Sequence, residues 1–210
     1  MVTEPPEANY NVTPRAEVPV VAESKGERVL DLVRWGLIPS WAKDMKIGDR
    51  MINARAESVA DKPAFREAFR SRRCLVLADG FYEWQAGGPY GKTPHYIRSP
   101  DRKPFAFAGL WERWRAPDGA VLETCAIVTT DANERVRELH DRMPVVLAPE
   151  HHDLWLDAAT DRERLLALLV PAPASRLETF AVSTVVNRPE NEGPECVEPV
   201  PTLFGALRRP

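Results

Sequence analysis

The stretch CLVLADGFYEW, residues 74–84, decides the fold class. Residues 74–78 are mostly apolar, residues 81–84 are mostly aromatic, and Asp79-Gly80 separates the two segments. An Asp-Gly pair between two such segments is typical of a tight hairpin turn. The stretch therefore predicts two antiparallel strands joined by a two-residue turn.

The segments on both sides predict more strands and a few short helices. Apolar and β-branched runs indicate strands at 18–22, 28–35, 96–98, 105–111, 123–129, 145–147 and 179–184. Helical spacing indicates helices at 63–70, 131–140, 150–156 and 161–169, with capping boxes at Asp131/Glu134 and Thr160/Glu163. Because no linker or repeat divides residues 1–210, we expect one α+β domain.

Composition excludes several classes of protein. The chain is 44% hydrophobic and 28% charged, which is ordinary for a globular protein, and no apolar run is long enough to span a membrane. The first residues, MVTE, lack a signal-peptide pattern, so the expected compartment is the cytoplasm. Cys74, Cys125 and Cys196 are far apart and lack CxxC spacing, so we expect neither a disulfide framework nor a metal site.

Positive charge is concentrated in one part of the chain. Residues 34–76 contain ten Lys and Arg against five acidic residues, a net +5, whereas the whole chain carries −3. A basic face on an acidic protein is compatible with phosphate binding. On charge alone, however, a solvated helix surface is the favoured interpretation.

Four short stretches place polar residues where a strand or a turn would ordinarily be apolar. They are YNVTP (10–14), NARAE (53–57), GFYEW (80–84) and HDRMP (140–144). Each has a structural explanation when taken alone: Asn53 in a loop, Glu83 facing water from a strand, His140 at a helix end. Their order and spacing carry the functional interpretation.

These stretches, together with RWGLIPSWAKD (34–44), FAGLWE (107–112) and VSTVVN (182–187), resemble the SRAP family, the SOS response-associated peptidases understood as abasic-site processing proteins. The resemblance runs over residues 10–200. It implies a compact α+β domain of curved, mostly antiparallel, barrel-like sheet with peripheral helices. It also implies a single-stranded DNA partner containing abasic sites, a monomer, and no cofactor, metal or membrane.

By the same resemblance, three residues carry the chemistry. Asn53 is expected to orient the N-terminal residue, and Glu83 to act as general acid and base in ring opening and in removal of the initiator Met. His140 is expected to hydrogen-bond the sugar and assist proton transfer.

Six further residues are expected to contact DNA. The resemblance assigns Arg55 and Arg142 to the phosphates that flank the lesion. Trp84 and Trp41 are expected to stack on exposed bases. Asn11 and Pro14 are expected to line the same pocket.

One feature of the family is absent from the sequence as numbered. Family members begin Met-Cys-Gly-Arg, and the Cys amine and thiol capture the aldehyde, whereas here Val2 follows Met1. Three interpretations stay open. The natural start lies upstream, the protein binds DNA without a covalent step, or the Val2 amine forms a reversible imine.

Overall fold

The computed structural model describes residues 7–24, 26–88 and 91–200. The strands in chain order are β1 (Glu17–Ser24), β2 (Glu27–Trp35), β3 (Asn53–Arg55), β4 (Arg73–Ala78), β5 (Gly80–Gly88), β6 (Gly91–Arg98), β7 (Phe105–Arg115), β8 (Val121–Asp131), β9 (Arg142–Pro144), β10 (Val146–Leu147) and β11 (Glu178–Ala181). The α-helices are α1 (Arg66–Ser71), α2 (His152–Leu156) and α3 (Arg162–Ala167).

Five strands close into a barrel. β1 pairs with β2 and β4, β4 pairs with β7, β7 pairs with β8, and β8 returns to β2. The β2–β8 contact is parallel, and the other four are antiparallel. The expected α+β fold with a curved, barrel-like sheet is confirmed.

A second sheet of three strands lies outside the barrel. β6 is its central strand, with β5 on one side and β11 on the other. On β5, Phe81 packs toward the barrel strands, with its ring 5.9 Å from that of Phe107. Tyr82 and Trp84 point to the opposite face, where they pack beside the segment that follows β11. Because side chains alternate along a strand, β5 packs against the barrel with one face and against the segment after β11 with the other.

Two apolar layers account for the stability of the barrel. One layer takes alternate residues from all five barrel strands, and we assign it to the interior: Val18, Val20, Val33, Cys74, Val76, Phe107, Cys125 and Ile127. The other layer packs the outer faces of β4, β7 and β8 against the helices, with Trp155 of α2 fully buried in it. Cys74 is fully buried in the interior layer.

A buried arginine joins two of the helices to β4. The guanidinium of Arg73 donates to the backbone oxygens of Phe69 and Arg70 at 2.7 and 2.6 Å, at the end of α1. It also donates to those of Trp155 and Asp157, both at 2.7 Å, at the end of α2. These carbonyl groups have no partner inside their helices, so one cation satisfies both ends.

The predicted hairpin at Asp79-Gly80 is wrong, although both strands exist. Both edges of β4 are occupied by β1 and β7, so β5 has no free edge of β4 to pair with. The chain turns instead into the second sheet, where β5 pairs with β6. The ring of Tyr96 occupies the space that a Cβ at position 80 would need, which explains the glycine.

The two predicted capping boxes are also wrong. Asn133, and not Asp131, caps the short turn that precedes His140, because its Oδ1 accepts from the backbone N–H groups of Arg135 and Val136. The predicted helix over 131–140 is reduced to a 3-10 turn, Val136–Glu138. Asp161 caps α3 by accepting from the Arg164 N–H at 2.9 Å, and Thr160 bonds to Leu154 instead.

Gly109 offers a test of the barrel interior. A Cβ at this position would lie 2.8 Å from both Cys74 Sγ and Val76 Cγ2. We expect Gly109→Ala to lower the free energy of unfolding by about 1–3 kcal/mol through overpacking. Urea denaturation measures the change, and in a Cys74→Ala background the same substitution should cost less because the sulfur is gone. An unchanged midpoint for Gly109→Ala would contradict this assignment of the interior.

Candidate functional site

The end of β8 brings two of the polar motifs together. Thr129 of β8 pairs with Arg55 of β3 on one edge and with Pro144 of β9 on the other. Ala54, between Asn53 and Arg55, is fully buried, so the alternation of the strand leaves both polar neighbours exposed. The motifs NARAE and HDRMP therefore flank the same segment of β8.

Glu83 lies on the face of β5 that carries Phe81, and it is partly buried. Burial raises the pKa of the Glu83 carboxyl above its ordinary value, and the nearby Asp141 carboxylate raises it further. Electrostatic interactions with His140 and Lys92 oppose this shift, and the net direction is upward. A carboxyl with a raised pKa that interacts with an imidazole is suited to donate and accept protons.

The ring of His140 is held by its own loop. The Arg142 N–H donates to His140 Nδ1 at 3.0 Å, and an Asp141 carboxylate oxygen lies 3.2 Å from the same nitrogen. The bond from Arg142 requires an unprotonated Nδ1 and a proton on Nε2, whereas the Asp141 carboxylate at the same nitrogen favours a proton on Nδ1, so the two contacts select different protonation states of the ring. The His140 N–H is anchored to the Val136 oxygen at 3.0 Å, which fixes the loop behind the ring.

Arg142 connects the two motifs through its side chain. Its two terminal nitrogens bond to the Glu57 carboxylate at 2.7 and 3.0 Å, to Asp131 at 2.8 Å and to the Thr129 oxygen at 2.8 Å. Arg142 Nε is buried without a partner among the described residues. The phosphate role predicted for Arg142 stays a prediction, and it requires exchange of one of these partners. The Arg55 side chain, by contrast, is exposed and forms no hydrogen bond or ion pair with a described residue, although it interacts electrostatically with Glu57.

Asn11 and Pro14 occupy different environments. Asn11 is only 5% exposed, and its Nδ2 lies 3.0–3.1 Å from the backbone oxygens of Val186, Arg188 and Asn191. Its amide is therefore engaged in the fold, and the DNA contact predicted for it stays untested. Pro14 is exposed in the turn that precedes β1.

The two candidate stacking residues lie on different parts of the molecule. Trp84 is half-buried on the face of β5 opposite Glu83, and its Nε1–H donates to Asn187 Oδ1 at 2.8 Å. Trp41 lies in the loop after β2 with 59% of its surface exposed, which is unusual for a tryptophan that only fills a core.

The structure thus unites part of the predicted site. Glu83 and His140 interact electrostatically, and the NARAE and HDRMP motifs are joined through Glu57 and Arg142. Within the described ranges, Asn53 forms no side-chain hydrogen bond with Glu83 or His140. Sequence reasoning missed Glu57 and Asn187, although both stand inside quoted motifs. Across the same ranges, no cluster of three or more His, Cys, Asp or Glu side chains is placed to hold a metal, and no helix could cross a membrane.

A closed five-stranded barrel with these motifs around the end of β8 agrees with the SRAP class. The family model described as SOS response associated peptidase (SRAP) matches residues 2–189, and the chain belongs to this family.

Named relatives agree with this membership. The chain is 46% identical over 191 residues to the abasic site processing protein YoqW of Bacillus subtilis (strain 168), covering 90% of this chain and 85% of YoqW. It is 35% identical over 224 residues to the abasic site processing protein HMCES of Gallus gallus, covering 91% of this chain and 66% of HMCES. A crystal structure of a protein from Bacteroides thetaiotaomicron superposes with a TM-score of 0.81 at 29% identity, covering 89% of this chain and 82% of that one.

The Glu57–Arg142 pair predicts a pH-dependent contribution to stability. The hydrogen bond from Arg142 lowers the pKa of Glu57, so the pair stabilises the fold above the ordinary carboxyl pKa and loses that effect as pH falls through the lowered value. We expect Glu57→Gln to destabilise the protein at pH 7 and to match the parent in the most acidic buffers. Urea midpoints at several pH values test this.

The matched control is Glu67→Gln, which removes an exposed carboxylate paired with Arg70 on α1. An exposed pair of this kind contributes at most about 1 kcal/mol, so its effect should be small at every pH. Equal effects of the two substitutions at pH 7 would contradict a specific role for the Glu57–Arg142 pair.

Proposed function

We propose that this protein processes abasic sites in single-stranded DNA and joins the lesion covalently to the α-amine of its own N-terminal residue. The observation that carries the proposal is the partly buried Glu83 carboxyl, with its raised pKa, beside the His140 imidazole. The names of the relatives support the lesion as substrate. In this proposal the protein acts in the cytoplasm as a monomer and without a cofactor.

The chemistry begins with the ring-opened sugar. An abasic deoxyribose opens to an aldehyde, and an amine nitrogen attacks the carbonyl carbon while the carbonyl oxygen gains a proton. The resulting carbinolamine loses its hydroxyl group as water and leaves an imine. An α-amine has a pKa of about 8, roughly two units below that of lysine, so more of it is unprotonated at neutral pH.

Glu83 and His140 supply the proton transfers. Because its pKa is raised, Glu83 retains its proton at higher pH than an ordinary glutamate and gives it to the departing hydroxyl group. His140 hydrogen-bonds the sugar through Nε2 and assists the transfer, while Asn53 orients the attacking residue. The same carboxylate activates water when the initiator Met is removed by hydrolysis of one peptide bond.

Two sources of the amine are compatible with the proposal. One is a cysteine encoded upstream of residue 1, whose thiol adds to the imine carbon, forms the S–C bond and passes its proton to nitrogen to close a thiazolidine. The other is Val2 after removal of Met1, which stops at the reversible imine. Both use the same acid and base.

In this proposal other side chains of the molecule supply contacts for the DNA strand. The Arg55 side chain is exposed and forms no hydrogen bond or ion pair with a described residue, so its guanidinium can bind a phosphate. Trp41 offers an exposed indole, Trp84 a half-buried one, and Pro14 an exposed ring. These cation and aromatic contacts also suit a second function, noncovalent single-stranded DNA binding without capture.

Capture of an abasic oligonucleotide tests the first function. We expect Glu83→Gln and His140→Ala each to slow covalent capture by about a hundredfold or more, since a positioned acid or base contributes on that order. The rate is followed on denaturing gels with protein purified from its own cells. Mass spectrometry of the adduct then identifies the residue that carries the sugar.

The matched control for this experiment is Glu138→Gln, an exposed carboxylate on the turn before His140, which should capture normally. Capture at the parent rate by both site variants would refute the assigned roles. An adduct on an internal lysine would refute the α-amine. Salt-dependent binding with no adduct in any protein would favour the noncovalent function.

The role of Arg55 is tested by salt dependence. We expect Arg55→Ala to weaken binding to single-stranded DNA of any sequence and to reduce the slope of log K against log salt by roughly 1. Titrations at several salt concentrations measure the slope. Arg164→Ala, an equal change of charge at an exposed position on α3, is the control. If both variants lower the slope equally, the effect is one of overall charge and not of a phosphate contact at Arg55.

A further inference from the structure

Trp84 has a fixed orientation on the outer face of β5. Its Nε1–H donates to Asn187 Oδ1 at 2.8 Å, and its ring packs beside Tyr82 with 6.2 Å between centroids. An indole has one polar hydrogen, so a single acceptor, together with the packing of one face, determines the direction of the ring. Asn187 is itself exposed, and its backbone must therefore be held if its side chain is to act as a fixed acceptor.

Asn11 holds the backbone on both sides of Asn187. The Nδ2 group of Asn11 lies 3.0 Å from the Val186 oxygen and 3.1 Å from the Arg188 oxygen, which belong to the neighbours of Asn187. It also lies 3.0 Å from the Asn191 oxygen, which closes the turn. We call these three contacts the Asn11 clamp. A buried amide shared among three carbonyl groups leaves this segment little freedom.

The clamp is tied back to the strand that carries Trp84. Tyr82 of β5 donates its hydroxyl to the Tyr10 oxygen at 2.6 Å, and the Tyr10 N–H donates to the Glu192 oxygen at 3.2 Å. Residues 10–11, residues 186–192 and β5 therefore form a closed circuit of hydrogen bonds that starts at Tyr82 and ends at Trp84. Such a circuit preorganises a side chain before any ligand arrives.

We propose that Asn187 is a positioning residue that holds the Trp84 indole in the orientation in which it stacks on a DNA base, and that Asn11 fixes Asn187 for this purpose. The inference rests on the proposed binding of single-stranded DNA. It gives the YNVTP and VSTVVN motifs a shared role, in which Asn11 supports Asn187 and neither residue contacts the nucleic acid.

Four variants test the proposal by their affinity for an abasic single-stranded oligonucleotide. Trp84→Ala should weaken binding about tenfold or more because it removes the stacking surface. Asn187→Ala should weaken it about fivefold, which is the effect of one lost hydrogen bond. Asn187→Asp retains an acceptor for the indole N–H and should bind better than Asn187→Ala. Trp84→Phe keeps a ring but has no N–H, so adding Asn187→Ala to it should have no further effect.

The outcomes separate the stacking role of Trp84 from the positioning role of Asn187. If Trp84→Ala binds like the parent, stacking by Trp84 is wrong and the proposed DNA contact fails. If Trp84→Ala weakens binding but Asn187→Ala does not, the stacking stands and the positioning role is refuted. If Asn187→Ala weakens binding equally in the Trp84→Phe background, Asn187 acts independently of the indole, which also refutes it. Glu190→Gln, an exposed change in the same loop, controls for unspecific effects, and melting temperatures control for folding.

Discussion

The placement of the site depends on the corner at Asp79-Gly80, where the chain leaves the barrel. β1 and β7 occupy both edges of β4, so the next residues must pair elsewhere. The ring of Tyr96 lies against Gly80 where any side chain would stand. This contact places β5 beside β6 and brings Glu83 toward the loop that carries His140. A glycine at this corner thus permits the packing that brings together the two groups on which the proposed chemistry relies.

The sequence predicted the strands well and their partners poorly, for a physical reason. Apolar and aromatic runs report the local conformation of 74–78 and 81–84, but pairing is decided by which edges other segments have occupied. The cap at Asn133 was missed for a similar reason. The Asp131 carboxylate accepts from Arg142, which is 11 residues away in the sequence, and Asn133 accepts from the turn instead. Local sequence signals identify the strands and turns, whereas competition between residues distant in sequence decides which strands pair and which side chain caps a turn.

The candidate site shows the same division. Motif resemblance placed Glu83 and His140 in one site, and the electrostatic contact between them agrees with that placement. It did not show that Asn11 is buried in a clamp or that the Arg142 guanidinium already holds Glu57. Polar residues in a motif can bind a ligand or hold the fold, and residue type alone does not separate the two. The burial of the side chain and the number of its donors that already bond within the fold do distinguish a ligand-binding residue from a structural one.

The two faces of β5 together constrain the proposed substrate. Glu83 lies on the face toward the barrel and Trp84 on the other, and β5 is an edge strand of its sheet within the described residues. A DNA strand whose lesion reaches Glu83 while a neighbouring base stacks on Trp84 must therefore turn sharply around that edge. Duplex DNA resists bending over a few base pairs, since its persistence length is about 150 base pairs, whereas a single strand turns at each nucleotide. With the proposed contacts to Glu83 and Trp84, the geometry of β5 favours single-stranded over duplex DNA, and no contact to a specific base is needed.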